Sequence, residues 1–367
     1  MKLADYFSTT RQGISEALVE TLRQSEHDAA GFSGDSSRLF SVLERYACSG
    51  KMLRGTLACL GSELFSPETT EGMAPGKDAL ALASALELFQ AGLLVHDDIM
   101  DKDEMRRGMP TMHKIFEQSE TERDTGDTRA STNHIDYKSL GEGMGICAGD
   151  IFYFIAWNKI ANLGANLGTL FSKELVDVCL AQIKDVKLGT LAAFPRLEEI
   201  LEVYAYKTAR YTITLPLCAG AILAGRGDAV SALEKLGLAL GILFQLQDDY
   251  LGLFGDEKEL GKPMGSDIRE GKKTPFMILL AESLSGEEKQ RFREIFGQPS
   301  INQAGITYIR SLIKKHGVDA KVRALAEKYA NEATESLAEF SAGVPGLNKE
   351  GLELLKQFIE YSLSRKF

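Results

Sequence analysis

Two stretches run apolar for the length of a helix and then stop in paired aspartates. One is Phe89-Gln-Ala-Gly-Leu-Leu-Val-His-Asp-Asp-Ile-Met-Asp101; the other runs from Leu236 to Leu246 and into Gln247-Asp248-Asp249-Tyr250-Leu251-Gly252. On a helix, residues four apart are neighbours, so Asp97 and Asp101 share one face. Anionic side chains at a helix C-terminus oppose the macrodipole, so a positive partner is expected at such an end. Two like charges about 4 Å apart repel by about 4 kcal/mol at an effective dielectric of ~20, a large part of a typical ~5–15 kcal/mol stability. Cations are therefore expected wherever these clusters act together. The ligands are oxygens, with no His or Cys at metal-ligand spacing, and that selects a hard ion. Mg²⁺ characteristically takes one or two carboxylates and completes its shell with water and phosphate oxygens.

The rest of the chain reads as all-α. Apolar residues recur three and four apart from Ile14 to Leu22 and again from Leu352 to Leu363, and strand signals are scarce. Breaks rich in Gly, Ser and Pro near 26–38, 66–77 and 284–303 mark loops between helices. The segment Gln118 to Asn133 has almost no apolar side chain, and burial there cannot offset ordering entropy. It reads as a mobile surface loop, a polar insertion spanning about 117–140 of a single domain, 1–367.

At 367 residues and 44% hydrophobic, the chain can bury a large core, while its net charge of −10 argues against a nucleic-acid or anionic-membrane surface. The five cysteines, Cys48, Cys59, Cys147, Cys179 and Cys218, form no close pair and suit reduced thiols in a cytoplasmic protein. The N-terminus has no apolar signal region, and the run near Leu215 to Leu223 is too short to cross a bilayer.

Taken in order, Gly50-Lys51-Met52-Leu53-Arg54, the first aspartate motif, Arg106-Arg107-Gly108-Met109-Pro110-Thr111, the second motif and Gly261-Lys262 closely resemble the trans-isoprenyl diphosphate synthases. Farnesyl and geranylgeranyl diphosphate synthases are members. The resemblance runs from about residue 40 to the C-terminus. It implies an isoprenoid synthase-type bundle of about ten or more helices around a central active-site cavity, and a homodimer. It also implies three Mg²⁺ ions, with Mn²⁺ able to substitute, and head-to-tail condensation of isopentenyl diphosphate with an allylic diphosphate.

By that resemblance Asp97, Asp101 and Asp248 are the metal ligands, and Asp98 and Asp249 complete their motifs. Many members carry a third aspartate where this chain has Gly252, which bears on the third metal site. Arg106 is assigned to the allylic diphosphate, and Lys51, Arg54, Gln90 and Arg107 to isopentenyl diphosphate, because guanidinium forks hold phosphate oxygens in pairs. A phosphate near the helix start after Lys51 would also be favourable. Lys207 and Thr208 match the segment where the family's helix bends toward the reacting carbon. Gln182 and Asp185 match a pair facing the allylic chain, and Gln245 a contact to the allylic diphosphate or its metal-bound water, while Phe244 would stack near the isopentenyl unit. Lys262 and Lys272 match loop lysines that close over the diphosphate, and Arg365 is a further candidate for the second pocket. No nucleophilic triad is needed, and His96 reads as a packing residue.

Product length in the family is set by side chains ahead of the first aspartate, here Phe89, Gly92 and Leu93. Gly92 is expected to open the upper tunnel and Phe89 to close it near a C20 chain, against C15 or C25 and longer. Two rival readings are a class I terpene cyclase and a non-catalytic partner subunit. The cyclase would not need the Lys51, Arg54 and Arg107 group. A partner subunit would be expected to have eroded acidic motifs.

Overall fold

The computed structural model describes residues 1–29, 31, 36–67, 74–124, 135–255, 265–298 and 300–364. They are overwhelmingly helical, as the periodicity predicts, and form two compact units. One comprises Phe7–Cys59 with Pro75–Gly168; the other comprises Met1–Tyr6, Leu60–Ala74 and Thr169–Phe367.

The first unit contains most of α1 (Leu3–Asp28), α2 (Ser36–Cys48) and the start of α3 (Leu53–Glu63). It continues with α4 (Lys77–Asp101), a short antiparallel hairpin of β1 (Met105–Arg106) and β2 (Met109–Pro110), α5 (Met112–Asp124) and α6 (Tyr137–Leu163). Helix α4 is its core: Leu82, Leu86, Leu88, Phe89 and Val95 are all at most 1% exposed. Glycines let α6 come close. A Cβ on Gly92 would lie 2.6 Å from the Tyr153 ring and 2.9 Å from the Gly149 carbonyl, and one on Gly149 would lie 2.3 Å from His96 Nε2. Beside Gly92 the Tyr153 ring takes the space a side chain would need, so the glycine lets α4 and α6 approach closely.

The polar segment also departs from expectation. Gln118 to Asp124 is not loop but the last turns of α5. Gln118, Glu120, Glu122 and Arg123 favour helix by propensity, and Ser119 and Thr121 turn their hydroxyls back onto the carbonyls of Phe116 and Glu117. Residues 125–134 of the expected insertion lie outside the described residues.

The second unit is built on α10 (Val230–Phe254), buried through Leu233, Leu236, Leu240, Leu243 and Leu246. Ahead of it lie α7 (Ala165–Thr190) and a continuous helical run of α8 (Leu197–Val203), a π-helix (Tyr204–Thr214) and α9 (Leu215–Leu223). Pro216, in the first turn of α9, has no N–H to give the preceding turn, and the wider π winding immediately ahead of it accommodates that loss. A Cβ on Gly241 would stand 2.3 Å from the Ala209 Cα, so α10 lies hard against the π-helix. The unit ends with α11 (Ser266–Glu270), α12 (Pro275–Ser283), α13 (Gly286–Ile295), α14 (Gln303–Lys315), α15 (Val318–Gly343) and α16 (Lys349–Ser364).

Two helical stretches, Lys77–Asp101 and Gly227–Phe254, are long and apolar enough to cross a membrane by length and composition, but 67% and 56% of their apolar windows are buried in the fold. They are the core helices that carry the two aspartate motifs.

Candidate active site

Adjacent residues on a helix point about 100° apart, so an Asp-Asp pair cannot present both carboxylates to one place. The two motifs resolve this in the same way. In the first unit Asp97 and Asp101 are half-buried at the C-terminal end of α4, while Asp98 is fully buried. Asp98 accepts hydrogen bonds from the Tyr46 hydroxyl (3.0 Å) and from Arg106 Nε. In the second unit Asp248 is exposed and Asp249 is buried, accepting from the Tyr204 hydroxyl and from Gln245 Nε2 (2.9 Å). Burial pushes the Asp98 carboxyl up to about 6 against the pull of Arg106. Burial, with the Asp267 charge, pushes Asp249 well above its ordinary value. Each motif therefore has an outward carboxylate and an inward one held by a tyrosine.

Among the described residues no group of three His, Cys, Asp or Glu side chains could hold a metal by itself. A hard cation at Asp97 and Asp101, or at Asp248, would take one or two protein carboxylates and complete its shell from water and substrate oxygens. This all-oxygen, partial donor set fits Mg²⁺. Position 252 also has a physical reading: a Cβ there would lie 3.1 Å from Asp267 Oδ2, so an aspartate in place of Gly252 would bring two carboxylates together. Asp267 is a residue the sequence reading missed, since only the fold brings α11 beside α10.

The cations of the first unit converge on the turn before α3. The hairpin turn has Arg107 at φ 53° and Gly108 at φ 74°, the paired positive φ of a type I′ turn, with the arginine in a conformation that side chains rarely adopt. This aims Arg107 over the backbone of Gly50, whose added Cβ would meet Nη1 at 3.0 Å, and Arg107 donates to Ser49 Oγ (3.3 Å). Arg54 follows in the first turn of α3, Lys51 is exposed beside it, and Gln90 is half-buried on α4. Arg106 faces inward, bonding to Asp98 and to Asp103 (3.3 Å), with only 12% of its side chain exposed. Glu87, which sequence reasoning also missed, is buried one turn before Gln90; it accepts from the N–H of Gly55 (2.8 Å).

In the second unit Lys207 pairs with Asp185 (2.7 Å), joining the π-helix to α7. Thr208 Oγ1 donates to Gln245 Oε1 (2.9 Å). Both ends of the Gln245 amide are thereby engaged, in a relay from Thr208 to Asp249. Gln182 and Phe244 are half-buried on α7 and α10. Lys272 pairs with Glu270 (2.7 Å). Its neighbour Lys273 is buried and donates to the carbonyls of Leu188, Gly189 and Leu191 at the end of α7. Lys262 and Arg365 lie outside the described residues.

Phe89 is 1% exposed and meets the Tyr153 ring at 6.2 Å and the Trp157 ring edge-on at 5.5 Å, between centroids. Leu93, one turn on, is half-buried.

Comparison with known proteins places the chain. Residues 37–313 match the polyprenyl synthetase family. A geranylgeranyl diphosphate synthase of Sulfolobus acidocaldarius is 30% identical over 91% of this chain and 93% of its own. A geranylfarnesyl diphosphate synthase of Aeropyrum pernix is 28% identical over 86% and 90%. Among solved structures, the geranylgeranyl pyrophosphate synthase from Corynebacterium glutamicum, complexed with isoprenyl diphosphate and magnesium, matches with a TM-score of 0.85 and 27% identity, covering 100% of both chains.

Proposed function

The chain belongs to the polyprenyl synthetase family and is a prenyltransferase, and from that premise we propose that it makes an all-trans prenyl diphosphate of C20 length. The reaction is a Mg²⁺-dependent head-to-tail (1'-4) condensation of isopentenyl diphosphate with an allylic diphosphate. The observation that carries this reading is the shared architecture of the two motifs, an outward aspartate beside a buried one held by a tyrosine.

Asp97 and Asp101 are the metal ligands of one unit and Asp248 that of the other. Mg²⁺, when bound, stabilises the negative charge that builds on the departing diphosphate. Asp98, bonded by Tyr46 and Arg106, fixes the end of α4 so that its neighbours keep their direction. Arg106, Lys262 and Lys272 serve the allylic diphosphate; Lys51, Arg54, Gln90, Arg107 and Arg365 serve isopentenyl diphosphate. The isopentenyl double bond attacks the allylic carbon as its C–O bond breaks, and the departing diphosphate takes the proton lost on forming the new double bond. Lys207 and Thr208, on the π-helix, border the allylic carbon in this reading, with Gln182, Asp185 and Phe244 along the two apolar substrate chains. The relatives carry names for products of different length, so C20 rests on the aromatic group of Phe89, Tyr153 and Trp157 as the floor. The whole chain acts as one synthase domain.

Incubation with Mg²⁺, isopentenyl diphosphate and geranyl or farnesyl diphosphate should yield a C20 diphosphate by mass. Omitting the metal, or replacing Asp97 with Ala, should remove the product while circular dichroism stays helical. Failure to elongate any allylic primer would reject the synthase reading, and elongation only beyond C20 would reject the floor.

A further inference from the structure

The cationic group at the start of α3 contains a carboxylate that works against an anionic ligand. Met52 precedes α3 at φ 53° and has no side-chain oxygen, so it cannot cap the first-turn N–H groups of the helix. Glu87 does so from α4, through the N–H of Gly55 (2.8 Å). The anion seat at this helix start, where a phosphate would be favourable, is thus filled by the protein itself. Glu87 is only 6% exposed, and the charges of Arg54 and Arg107 both act on it. Burial raises its pKa and the two guanidiniums oppose that rise.

We propose that Glu87 is a positioning residue and counter-charge of the isopentenyl diphosphate pocket, holding Arg54 and Arg107 in place when the pocket is empty and weakening its grip on diphosphate when it is full. The inference rests on the assignment of Lys51, Arg54, Gln90 and Arg107 to that substrate. Two guanidiniums brought together with no anion repel, and a fixed internal carboxylate keeps them placed between turnovers. The same charge repels the diphosphate, so affinity is lowered.

This gives a sign that a merely structural residue would not give. Glu87→Gln keeps an oxygen for the Gly55 N–H and removes the charge. At pH 8, with Mg²⁺ and geranyl diphosphate, its KM for isopentenyl diphosphate should fall about five- to tenfold, tenfold being 1.4 kcal/mol. The KM for geranyl diphosphate should stay within about twofold and kcat should not rise, because uniform tightening of binding does not speed the chemical step. Glu87→Asp, which keeps the charge, should not lower the isopentenyl KM, and this variant keeps the test available if Glu87→Gln does not fold. An isopentenyl KM unchanged or raised in Glu87→Gln, or lowered in Glu87→Asp, overturns the proposal. Arg54→Gln separates the two levels of argument. A raised isopentenyl KM in that variant upholds the pocket assignment whatever Glu87 does; an unchanged one rejects the assignment and the role of Glu87 with it.

Discussion

Glu63, on α3, is 4% exposed and accepts a hydrogen bond from the Tyr6 hydroxyl, with Glu350 adding a like charge. Burial, the larger cause, pushes its carboxyl from 4.5 up to about 7. Between those values the folded chain keeps a proton that the unfolded chain has released, so stability falls as pH rises through this window, and the loss is complete above about 7. At 1.36 kcal/mol per pH unit the loss is on the order of 3–4 kcal/mol. Glu63→Gln should therefore melt like the parent near pH 4.5 and progressively above it toward pH 8. Parallel melting temperatures across that range would sink the assignment. The same physics separates the members of each Asp-Asp pair. Nothing in the letters Asp97-Asp98 says which one turns inward; Tyr46 and Arg106, 52 and 8 residues away from Asp98, decide it.

At the scale of elements, the α4–α6 contact shows how one glycine can be read in two ways. In the sequence Gly92 looks like room for a growing chain, because it lacks a side chain at a position expected to face the tunnel. In the fold that room belongs to Tyr153. Gly92→Ala should lower the melting temperature by overpacking, at a cost of about 1–3 kcal/mol, without shortening the product. Phe89→Ala should instead lengthen it by removing a ring that meets Trp157. Product masses and melting curves of the two variants check this; a shorter product from a normally stable Gly92→Ala enzyme would uphold the tunnel role. The polar half of α5 was illegible for a related reason. Hydrophobic periodicity reports burial, and Gln118 to Asp124 continues the helix with Gln118, Glu120, Glu122 and Arg123, whose propensity favours helix without an apolar face.

At the scale of the whole molecule, α7 carries an apolar stripe left open in the single chain: Val176 (57% exposed), Leu180 (60%) and Ile183 (53%), spaced for one helix face. We propose that a second copy covers it, in keeping with the homodimer that the resemblance implies. Leu180→Asp should convert the dimer to a monomer in sedimentation while the chain stays helical, and a parent that already sediments as a monomer would reject the idea. The sequence by itself determined the helical class, the two acidic helix ends, the basic groups around them and hence the reaction, because periodicity and charge spacing are local properties of a chain. Tertiary structure alone decided which aspartate of each pair faces outward, that Gln245 bonds within a relay, that Glu87 caps α3 and that Asp267 stands beside Gly252. Each of these depends on a partner brought close by packing between helices, and no spacing along the chain encodes such a distance.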